Sequence, residues 1–164
     1  MIFYPKSYLE KITDIDMKFL QEHNIKGLLI DIDNTILTYE GKIVDNLDKW
    51  AKELKQNGIK ICILSNTNSK EKARKMAEIL DSEYIYFAKK PLKCGFKKAQ
   101  KNLGLENKNI AVIGDQILTD VLGANRCDMY SILVKPLHEK DIFITKINRI
   151  IEKQILKNYT KNKS

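Results

Sequence analysis

The sequence predicts an α/β domain built on a doubly wound, parallel sheet. Three observations support this prediction. Short apolar runs rich in Ile, Val and Tyr alternate five times with longer segments of helical periodicity. Several runs are apolar on both faces, as strands buried between two layers of helices are. The chain has 164 residues, of which 43% are hydrophobic, enough for one domain with a substantial core.

The strands and helices follow one another in a regular order along the chain. The predicted strands span 26–32, 59–65, 84–88, 109–115 and 130–135. The predicted helices span 44–57, 69–80, 94–103, 117–125 and 139–157. Asn68 and Glu71 have the spacing of a capping box at a helix start, and Gly58 and Gly104 stand where helices should stop.

We expect a single domain over 1–164, with an N-terminal arm at 1–25 and a frayed tail at 158–164. In the arm, Tyr8, Ile12, Ile15 and Phe19 have helical spacing, which favours packing against the domain. The 139–157 helix is amphipathic. It is expected to cover the sheet, with contact to an anionic membrane as the alternative.

Charge and composition limit the possible partners and compartment. The formal net charge is +8, and the segment Lys89–Lys101 has six lysines and no acid. The segment 135–164 is also basic, with eight Lys and Arg against three Asp and Glu. Such segments would attract an anionic partner: a phosphate compound, nucleic acid or anionic lipid. The alternative is a solvated basic face without a partner. No apolar run approaches the roughly 20 residues of a membrane span, and no signal-peptide pattern opens the sequence, so a cytoplasmic protein is expected. The cysteines lack metal-site spacing and are expected to be idle thiols: Cys62, Cys94 and Cys127.

Polar side chains follow each of the first four predicted strands, at the carboxyl end where open parallel sheets bind ligands. Taken singly, each is common in turns and helix caps. Together they would meet at one edge of the sheet. They are Asp31 and Asp33 after the first strand, Ser65, Asn66 and Thr67 after the second, Lys89 and Lys90 after the third, and Asp115 with Asp120 after the fourth.

The carboxylates in this set point to a cation. Asp31, Asp33 and Asp115, brought together, would repel each other strongly unless a cation lay among them. All-oxygen ligation by few protein groups suits Mg²⁺, which keeps waters and binds phosphate. Hydroxyls, backbone amides and a lysine would then complete a site for a phosphate group. The sequence therefore predicts a magnesium-dependent site for a phosphorylated substrate.

These motifs resemble those of the haloacid dehalogenase (HAD) phosphatases. The resemblance covers about residues 26–135 and consists of "DIDNT", "SNT", "KKP" and "GDQILTD" in that order. The sequences "DIDNTI" and "GDQILTDVLGANR" are most similar to the YqeG-like, subclass IIIA branch, which includes phosphatidylglycerophosphate phosphatases of mitochondria and plastids. The resemblance implies a three-layer, Rossmann-like sandwich with a central, mostly parallel five-stranded sheet.

The resemblance also implies a role for each matching residue. Asp31 would be the nucleophile that forms an aspartyl-phosphate, and Asp33 would protonate the leaving alcohol and then activate water. Mg²⁺ would be held by the Asp31 carboxylate, the Asp33 backbone carbonyl and Asp115. The phosphate oxygens would be bound by Ser65 and the backbone amide of Asn66. Lys90 would neutralise charge on Asp31 and the phosphoryl group, and Asp120 would position Lys90 or a magnesium-bound water.

The sequence leaves no room for a sizeable cap domain, because residues 38–58 and 68–88 hold little more than one helix each. An open site favours a large or membrane-borne substrate such as phosphatidylglycerophosphate, with peripheral attachment to the inner face of a membrane. Small phosphometabolites, phosphoproteins and nucleotides stay open as alternatives, as does a non-catalytic scaffold that binds RNA or ribosome-assembly partners. Nucleic acid is disfavoured, because no stacking or nucleic-acid-binding motif accompanies the lysines. The sequence does not indicate an oligomeric state.

Overall fold

The computed structural model describes residues 1–138 and 143–161. Its strands are β1 (Ser7–Leu9), β2 (Gly27–Ile30), β3 (Lys60–Leu64), β4 (Glu83–Ile85), β5 (Ile110–Gly114) and β6 (Tyr130–Val134). They form one sheet in the order β1-β6-β5-β2-β3-β4, and every neighbouring pair is parallel.

The helices alternate with these strands. They are α1 (Met17–Glu22), α2 (Leu47–Gln56), α3 (Lys70–Leu80), α4 (Lys93–Leu103), α5 and α6 (Phe143–Lys161). Helix α5 begins with a wide π-helical turn, Ile117–Val121, and continues as a regular α-helix over Leu122–Arg126.

The sheet has six strands rather than the predicted five. The additional strand is β1, which pairs with Ile132–Val134 at the edge of the sheet. Tyr8 lies in this strand and is exposed, so the helical spacing assigned to Tyr8 and Ile12 was wrong at Tyr8. Three residues are too few to show a strand period, and a partner distant in the chain makes the strand.

The core lies in two layers, one on each face of the sheet. Alternate residues of β2 face opposite sides: Leu28 and Ile30 belong to the cluster that includes Trp50 of α2. Leu29 belongs to the second cluster, with Phe96 of α4. The predicted three-layer α/β architecture is therefore confirmed, and the strands are apolar in succession because both faces are covered.

Strands β2 and β5 are neighbours at the centre of the sheet, and the order in which the chain adds strands reverses there: β3 and β4 follow on one side of β2, and β5 and β6 on the other. Open parallel sheets bind ligands at such a switch point, beyond the carboxyl ends of the strands. Residues 31–46, between β2 and α2, contain only tight turns and isolated bridges at Leu37. No cap domain is present in that fully described stretch, so no insertion at this point covers the carboxyl edge.

The helix ends depart from the prediction in detail. Helix α3 is capped by Ser69, whose Oγ accepts a hydrogen bond from the Lys72 amide at 3.1 Å, and not by Asn68. Gly58 and Gly104 both have positive φ at helix ends, as expected for the left-handed stop of a helix.

Helix α6 continues to Lys161, so fraying from residue 158 was wrong for 158–161. Tyr159 is buried and packs edge-on against Tyr4, with ring centroids 5.5 Å apart, which extends the helix. The predicted start at 139 and the tail residues 162–164 lie outside the described residues. Ile155 and Leu156 pack against the cluster of Ile117, Val121 and Leu133, so α6 covers this edge of the domain. Within 1–138 and 143–161, no helix combines the length and apolar character required to cross a bilayer.

Candidate active site

Asp31 directly follows β2 at the switch point of the sheet. Its backbone N–H donates to the carbonyl of Ile113 in β5 at 3.0 Å, which extends the strand pairing by one residue. This bond fixes the backbone from which the carboxylate projects. One carboxylate oxygen of Asp31 accepts a hydrogen bond from Lys90 Nζ at 2.8 Å. The structure therefore brings together two of the predicted residues from different strand ends.

Lys90 is almost fully buried, with 2% of its side chain exposed, yet its ammonium group has three acceptors. Besides Asp31, it donates to the Leu64 carbonyl at 2.8 Å and to Asp120 Oδ1 at 2.7 Å. A buried ammonium group must be paired and hydrogen-bonded in this way to remain charged. Lys90 thus joins the ends of β2 and β3 to the first turn of α5.

Asn66 holds the backbone of Lys90 in place. Its side-chain oxygen accepts from the Lys90 amide at 2.7 Å, and its side-chain nitrogen donates to the Lys90 carbonyl at 3.0 Å. The peptide bond from Lys90 to Pro91 is cis. Ser65 is buried, and its Oγ accepts from the Thr67 amide at 3.1 Å. Ser65 and Asn66 therefore lie beside Lys90.

Asp120 reaches Lys90 because the residue opposite it is a glycine. A Cβ atom built on Gly114 would lie 2.1 Å from Cγ of Asp120, which is closer than any real contact. The second oxygen of Asp120 accepts from the Gln116 amide at 3.2 Å. Both carboxylate oxygens of Asp120 are therefore engaged, and the glycine in "GDQILTD" makes space for them.

Three carboxylates converge at this point. One oxygen from each of Asp31, Asp115 and Asp120 lies within 4.8 Å of the others. Oδ1 of Asp115 is buried and has no hydrogen-bond partner among the described residues. An unsatisfied buried carboxylate oxygen is costly, and the oxygen-only donor set is the one that Mg²⁺ prefers. The residues therefore fit a divalent cation.

Burial shapes the ionisation of this cluster. Desolvation raises the pKa of Asp31 to about 8, since it and the charges of Asp120 and Asp115 outweigh the attraction of Lys90. Desolvation and the charge of Asp120 also raise the pKa of Asp115 to about 7, against the attraction of Arg149. Desolvation alone would lower the pKa of Lys90, but Asp120 and Asp31 outweigh it and raise that pKa. Crowded carboxylates raise one another's pKa, as expected for a site that receives a cation.

Asp33 lies apart from the cluster. Its carboxylate is about half exposed and forms an ion pair with Lys72 Nζ at 3.0 Å, on the first turn of α3. Asp120, and not Asp33, supplies the third carboxylate of the convergent group. The proposed metal contact of Asp33 was through its backbone carbonyl, which stays a prediction.

Sequence reasoning missed two residues of α6 at this site. Arg149 donates through Nη1 to the Asp115 carbonyl at 2.7 Å and through Nη2 to Asp115 Oδ2. Glu152 binds Arg149 Nη1 at 3.1 Å and accepts from the Ile117 amide at 2.8 Å. Arg149 and Glu152 are spaced for one helix face, but nothing in the sequence links that face to Asp115.

The cysteines take no part in the site. Cys62 and Cys127 are buried in the second core cluster, Cys94 is exposed, and all three are free thiols. Desolvation, with a smaller contribution from Glu83, raises the pKa of Cys62 to about 12, so this thiol is unreactive near neutral pH. The expectation of idle thiols agrees with these positions.

Comparison with known proteins places this geometry in a family. The family model described as "Mitochondrial PGP phosphatase" matches residues 1–137. The "Probable phosphatase YqeG" of Bacillus subtilis (strain 168) is 39% identical over 155 residues, covering 94% of this chain and 90% of that protein. The "Phosphatidylglycerophosphate phosphatase 1, chloroplastic/mitochondrial" of Arabidopsis thaliana is 27% identical and covers 94% of this chain. The chain aligns with 47% of that longer plant protein.

Solved structures share the fold. An uncharacterised protein from Listeria monocytogenes serotype 4b superposes with a TM-score of 0.58 at 17% identity, over 72% of this chain and 85% of that one. The cobalt-bound deoxy-D-mannose-octulosonate 8-phosphate phosphatase (YrbI) of Haemophilus influenzae gives 0.50 at 19% identity, over 57% of this chain and 60% of that one. At these identities the likeness concerns the fold.

The α/β fold, the order of the motifs and the relatives together define a HAD-type phosphatase, a hydrolase of phosphoric monoesters. Within that class, the chain belongs to the family described as mitochondrial PGP phosphatase, together with the YqeG relative.

Proposed function

We propose that this phosphatase is Mg²⁺-dependent, acts through an aspartyl-phosphate intermediate and hydrolyses phosphatidylglycerophosphate. One observation supports the chemistry most directly. Lys90 holds the Asp31 carboxylate beside Asp115, whose buried Oδ1 lacks a partner among the described residues. A carboxylate that is held in position, next to a carboxylate oxygen that can bind Mg²⁺, suits nucleophilic attack on a phosphoryl group.

The residues divide the reaction between them. An oxygen of Asp31 bonds to phosphorus as the ester P–O bond breaks, and the leaving alkoxide takes a proton from Asp33. Asp33, now ionised, accepts a proton from water as the water oxygen attacks phosphorus, which breaks the bond to Asp31 and frees phosphate. The exposed position of Asp33 suits a group that must reach both the leaving oxygen and water.

The other residues bind and neutralise charge. Lys90 compensates the negative charge on Asp31 and the phosphoryl group, and Asp120 keeps Lys90 in place. Ser65 and the backbone amide of Asn66 bind phosphate oxygens. Mg²⁺, when bound by the Asp31 carboxylate, the Asp33 carbonyl and Asp115, supplies positive charge for the phosphoryl oxygens.

The substrate proposal rests on the family and on the open carboxyl edge. The family model and the plant relative carry the name of phosphatidylglycerophosphate phosphatases. Because no cap domain is inserted within residues 31–46, a lipid headgroup can approach the site without leaving its bilayer. A soluble phosphometabolite, phosphoprotein or nucleotide is the competing substrate class, and direct assay separates them.

The rim of the open edge fits an anionic membrane, which supports peripheral attachment of a cytoplasmic protein. Phe87 and Leu92 are 58% and 52% exposed, in the loop that leads from β4 through Lys90 to α4. Lys89 lies 5.3 Å from the Phe87 ring centroid, and Lys93 is exposed on the adjoining turn. Exposed apolar side chains interleaved with lysines are typical of surfaces that rest on anionic lipid.

The variant Asp31→Asn tests the nucleophile. In this variant, we expect turnover of an aryl phosphate with Mg²⁺ to fall by about 1000-fold or more, because no covalent intermediate can form without the Asp31 carboxylate. Asp14→Asn, in an exposed turn, is the matched control and should keep full activity. Circular dichroism checks that both variants fold. Undiminished turnover in Asp31→Asn would remove the proposed nucleophile, and EDTA should abolish the wild-type activity.

A non-catalytic scaffold that binds RNA is the alternative from another class. A scaffold gains nothing from a buried lysine held between two carboxylates, which is costly to desolvate. Tight RNA binding with no phosphatase activity under any condition would favour the scaffold.

A further inference from the structure

We infer that the cavity between β6 and α6 is a subsite for a second anionic group in the leaving-group part of the substrate. This inference rests on the proposed function, because the cavity adjoins the same site. The ligand it would take is an organic phosphate monoester with a second anionic group joined by a short apolar linker. Such a molecule has two sources: a lipid headgroup, or its water-soluble counterpart.

The cavity shares Asp115 with the cluster of carboxylates. Its volume is about 220 Å³, and Asp115 and Arg149 line it. It extends from there along residues 133–136, which form and follow the carboxyl end of β6, to the exposed face of α6. A phosphoryl group beside Asp115 would therefore have its leaving group next to this space.

Charged groups of both signs line the cavity, and Lys153 is the cation on which the inference depends. Arg149 lies at the inner end and is already paired with Asp115 and Glu152. Lys153 and Lys135 line the cavity as well. Lys153 forms no ion pair with a residue in the described part of the chain. The pair of Lys135 with Glu10 is long, at 3.5 Å, and exposed. Lys153 can therefore bind an anion directly, and Lys135 can join it at little cost, since an exposed pair such as Lys135–Glu10 contributes little.

The opposite wall is apolar, with contributions from Leu133, Val134, Pro136 and Leu156. Leu133 and Leu156 also belong to the small hydrophobic cluster under α6, so this wall is part of the fold. The volume is below the roughly 300–1,000 Å³ of a pocket for a whole drug-sized ligand. It suits a compact segment with one charged end, and long hydrocarbon chains would have to remain outside.

Phosphatidylglycerophosphate has this pattern. The phosphate monoester that is cleaved is linked through a three-carbon glycerol to an anionic phosphodiester. With the monoester at Asp31, the linker would lie against the apolar wall and the diester near Lys153 and Lys135. The same pattern is present in the deacylated headgroup, glycerophosphoglycerophosphate, which is soluble and does not bind membranes.

The test measures KM and kcat of Lys153→Glu with four substrates. They are phosphatidylglycerophosphate in anionic vesicles, its deacylated headgroup, glycerol 3-phosphate and an aryl phosphate. We expect KM to rise by about tenfold for phosphatidylglycerophosphate and its deacylated headgroup, with kcat retained. The reason is that the substitution replaces the cation that binds the second anion with a negative charge. Glycerol 3-phosphate and the aryl phosphate lack the second anion, so their kinetic constants should stay the same.

Lys157→Glu is the matched control. Lys157 lies one turn further along α6, is exposed and does not line the cavity. Its substitution makes the same change of net charge as Lys153→Glu but leaves the cavity unaltered. It should leave KM for the soluble headgroup unchanged.

The outcomes separate the two proposals. An equal rise of KM for all four substrates, or no rise for the soluble headgroup, overturns the subsite. A rise confined to vesicles, and equal in Lys153→Glu and Lys157→Glu, assigns the effect to general attraction to lipid and also overturns it. If wild-type protein with Mg²⁺ hydrolyses none of the four substrates, the proposed function itself fails.

Discussion

The inner cluster and the outer rim of the site differ sharply in how their charges are held. We define the inner cluster as Asp31, Lys90, Asp115 and Asp120. The outer rim consists of Asp33, Lys72, Phe87, Lys89 and Leu92. In the inner cluster the Lys90 ammonium is nearly inaccessible and has three acceptors. In the rim the Asp33–Lys72 pair is open to solvent on both sides.

Asp31 and Asp33 show what the difference means, because they lie two residues apart in the same motif. Asp31 is fixed by the sheet and by Lys90, and burial raises its pKa to about 8. Asp33 has one flexible partner and ready access to water. A nucleophile needs a fixed direction of attack, whereas a proton carrier must serve two reaction steps. The fixed position of Asp31 and the solvent access of Asp33 therefore match the two proposed roles. The raised pKa of Asp31 by itself opposes nucleophilic attack, so the proposal requires the bound cation to return Asp31 to its ionised form.

Removing Lys90 should have the largest effect on the free energy of unfolding. A small effect would contradict the difference between the inner cluster and the outer rim. Lys90→Met leaves Asp31 and Asp120 buried without their cation, so we expect the free energy of unfolding at pH 8 to fall by about 3–5 kcal/mol. Lys72→Met removes the rim cation that pairs with Asp33, and we expect the free energy of unfolding to fall by less than about 1 kcal/mol. Urea unfolding of both variants measures the difference. Equal losses would show that the inner cluster is no more tightly coupled than the rim.

Mg²⁺ affinity should depend on pH through the inner cluster. A carboxyl group ligates Mg²⁺ in its ionised form, and the raised pKa values are about 8 for Asp31 and about 7 for Asp115. Binding should therefore strengthen as pH rises from 6 to 8 and should release protons. Calorimetric titration in buffers of different ionisation enthalpy measures both quantities. Asp33→Asn removes a rim carboxylate and should keep the same pH profile.

The raised pKa of Asp31 also determines how the stability of the metal-free protein changes with pH. Because folding raises the pKa of Asp31, the folded state binds more protons than the unfolded state between about pH 4 and pH 8. The contribution of Asp31 to stability is therefore fully present at the acid end of this range and is lost as pH rises through about 8. Mg²⁺ should oppose this loss, so its stabilising effect in thermal unfolding should be greater at pH 8 than at pH 6. An equal effect at both pH values would contradict the proposed ligation.

The smallest effect on the chemistry should come from the apolar rim. Phe87→Ser with Leu92→Ser should leave aryl-phosphate turnover unchanged, because both side chains are more than half exposed, whereas the inner cluster is largely buried. Hydrolysis of phosphatidylglycerophosphate in anionic vesicles should fall by about threefold to tenfold, since less apolar surface can enter the interface. Ile150→Ser, at an exposed position of α6, is the control. A larger loss with Ile150→Ser would move the membrane contact from the rim to α6.

Local pattern was sufficient for most of the fold. Strands β2, β3, β5 and β6 were predicted because apolar runs rich in Ile and Val are distinctive between helical segments. The strand predicted at 84–88 is present as β4, but it is shorter and ends at Ile85. Strand β1 was missed, because Ser7–Leu9 has no apolar run of its own and the strand is defined by its pairing with β6. The cap of α3 shifted by one residue, from Asn68 to Ser69, since both residue types cap helices well.

The site was predictable to the extent that it depends on strand ends. Asp31, Lys90, Asp115 and Asp120 were all chosen from sequence, and the structure brings them into contact or near contact. Arg149 was only one of several basic residues of a terminal helix, and its contact with Asp115 spans 34 positions. No periodicity or motif reports a contact of that kind, because it depends on how α6 lies across the domain.

The sequence by itself determined the alternation of strands and helices, the covered faces of the sheet and the order of the polar motifs. These follow from short-range patterns of apolar and polar residues, which are written in the chain. Only the tertiary structure decided that Asp33 points away from the carboxylates, that Asp120 joins them, and that α6 places Arg149 on Asp115. The reason is physical: charge pairing and burial depend on distances through space, which the order of residues does not fix.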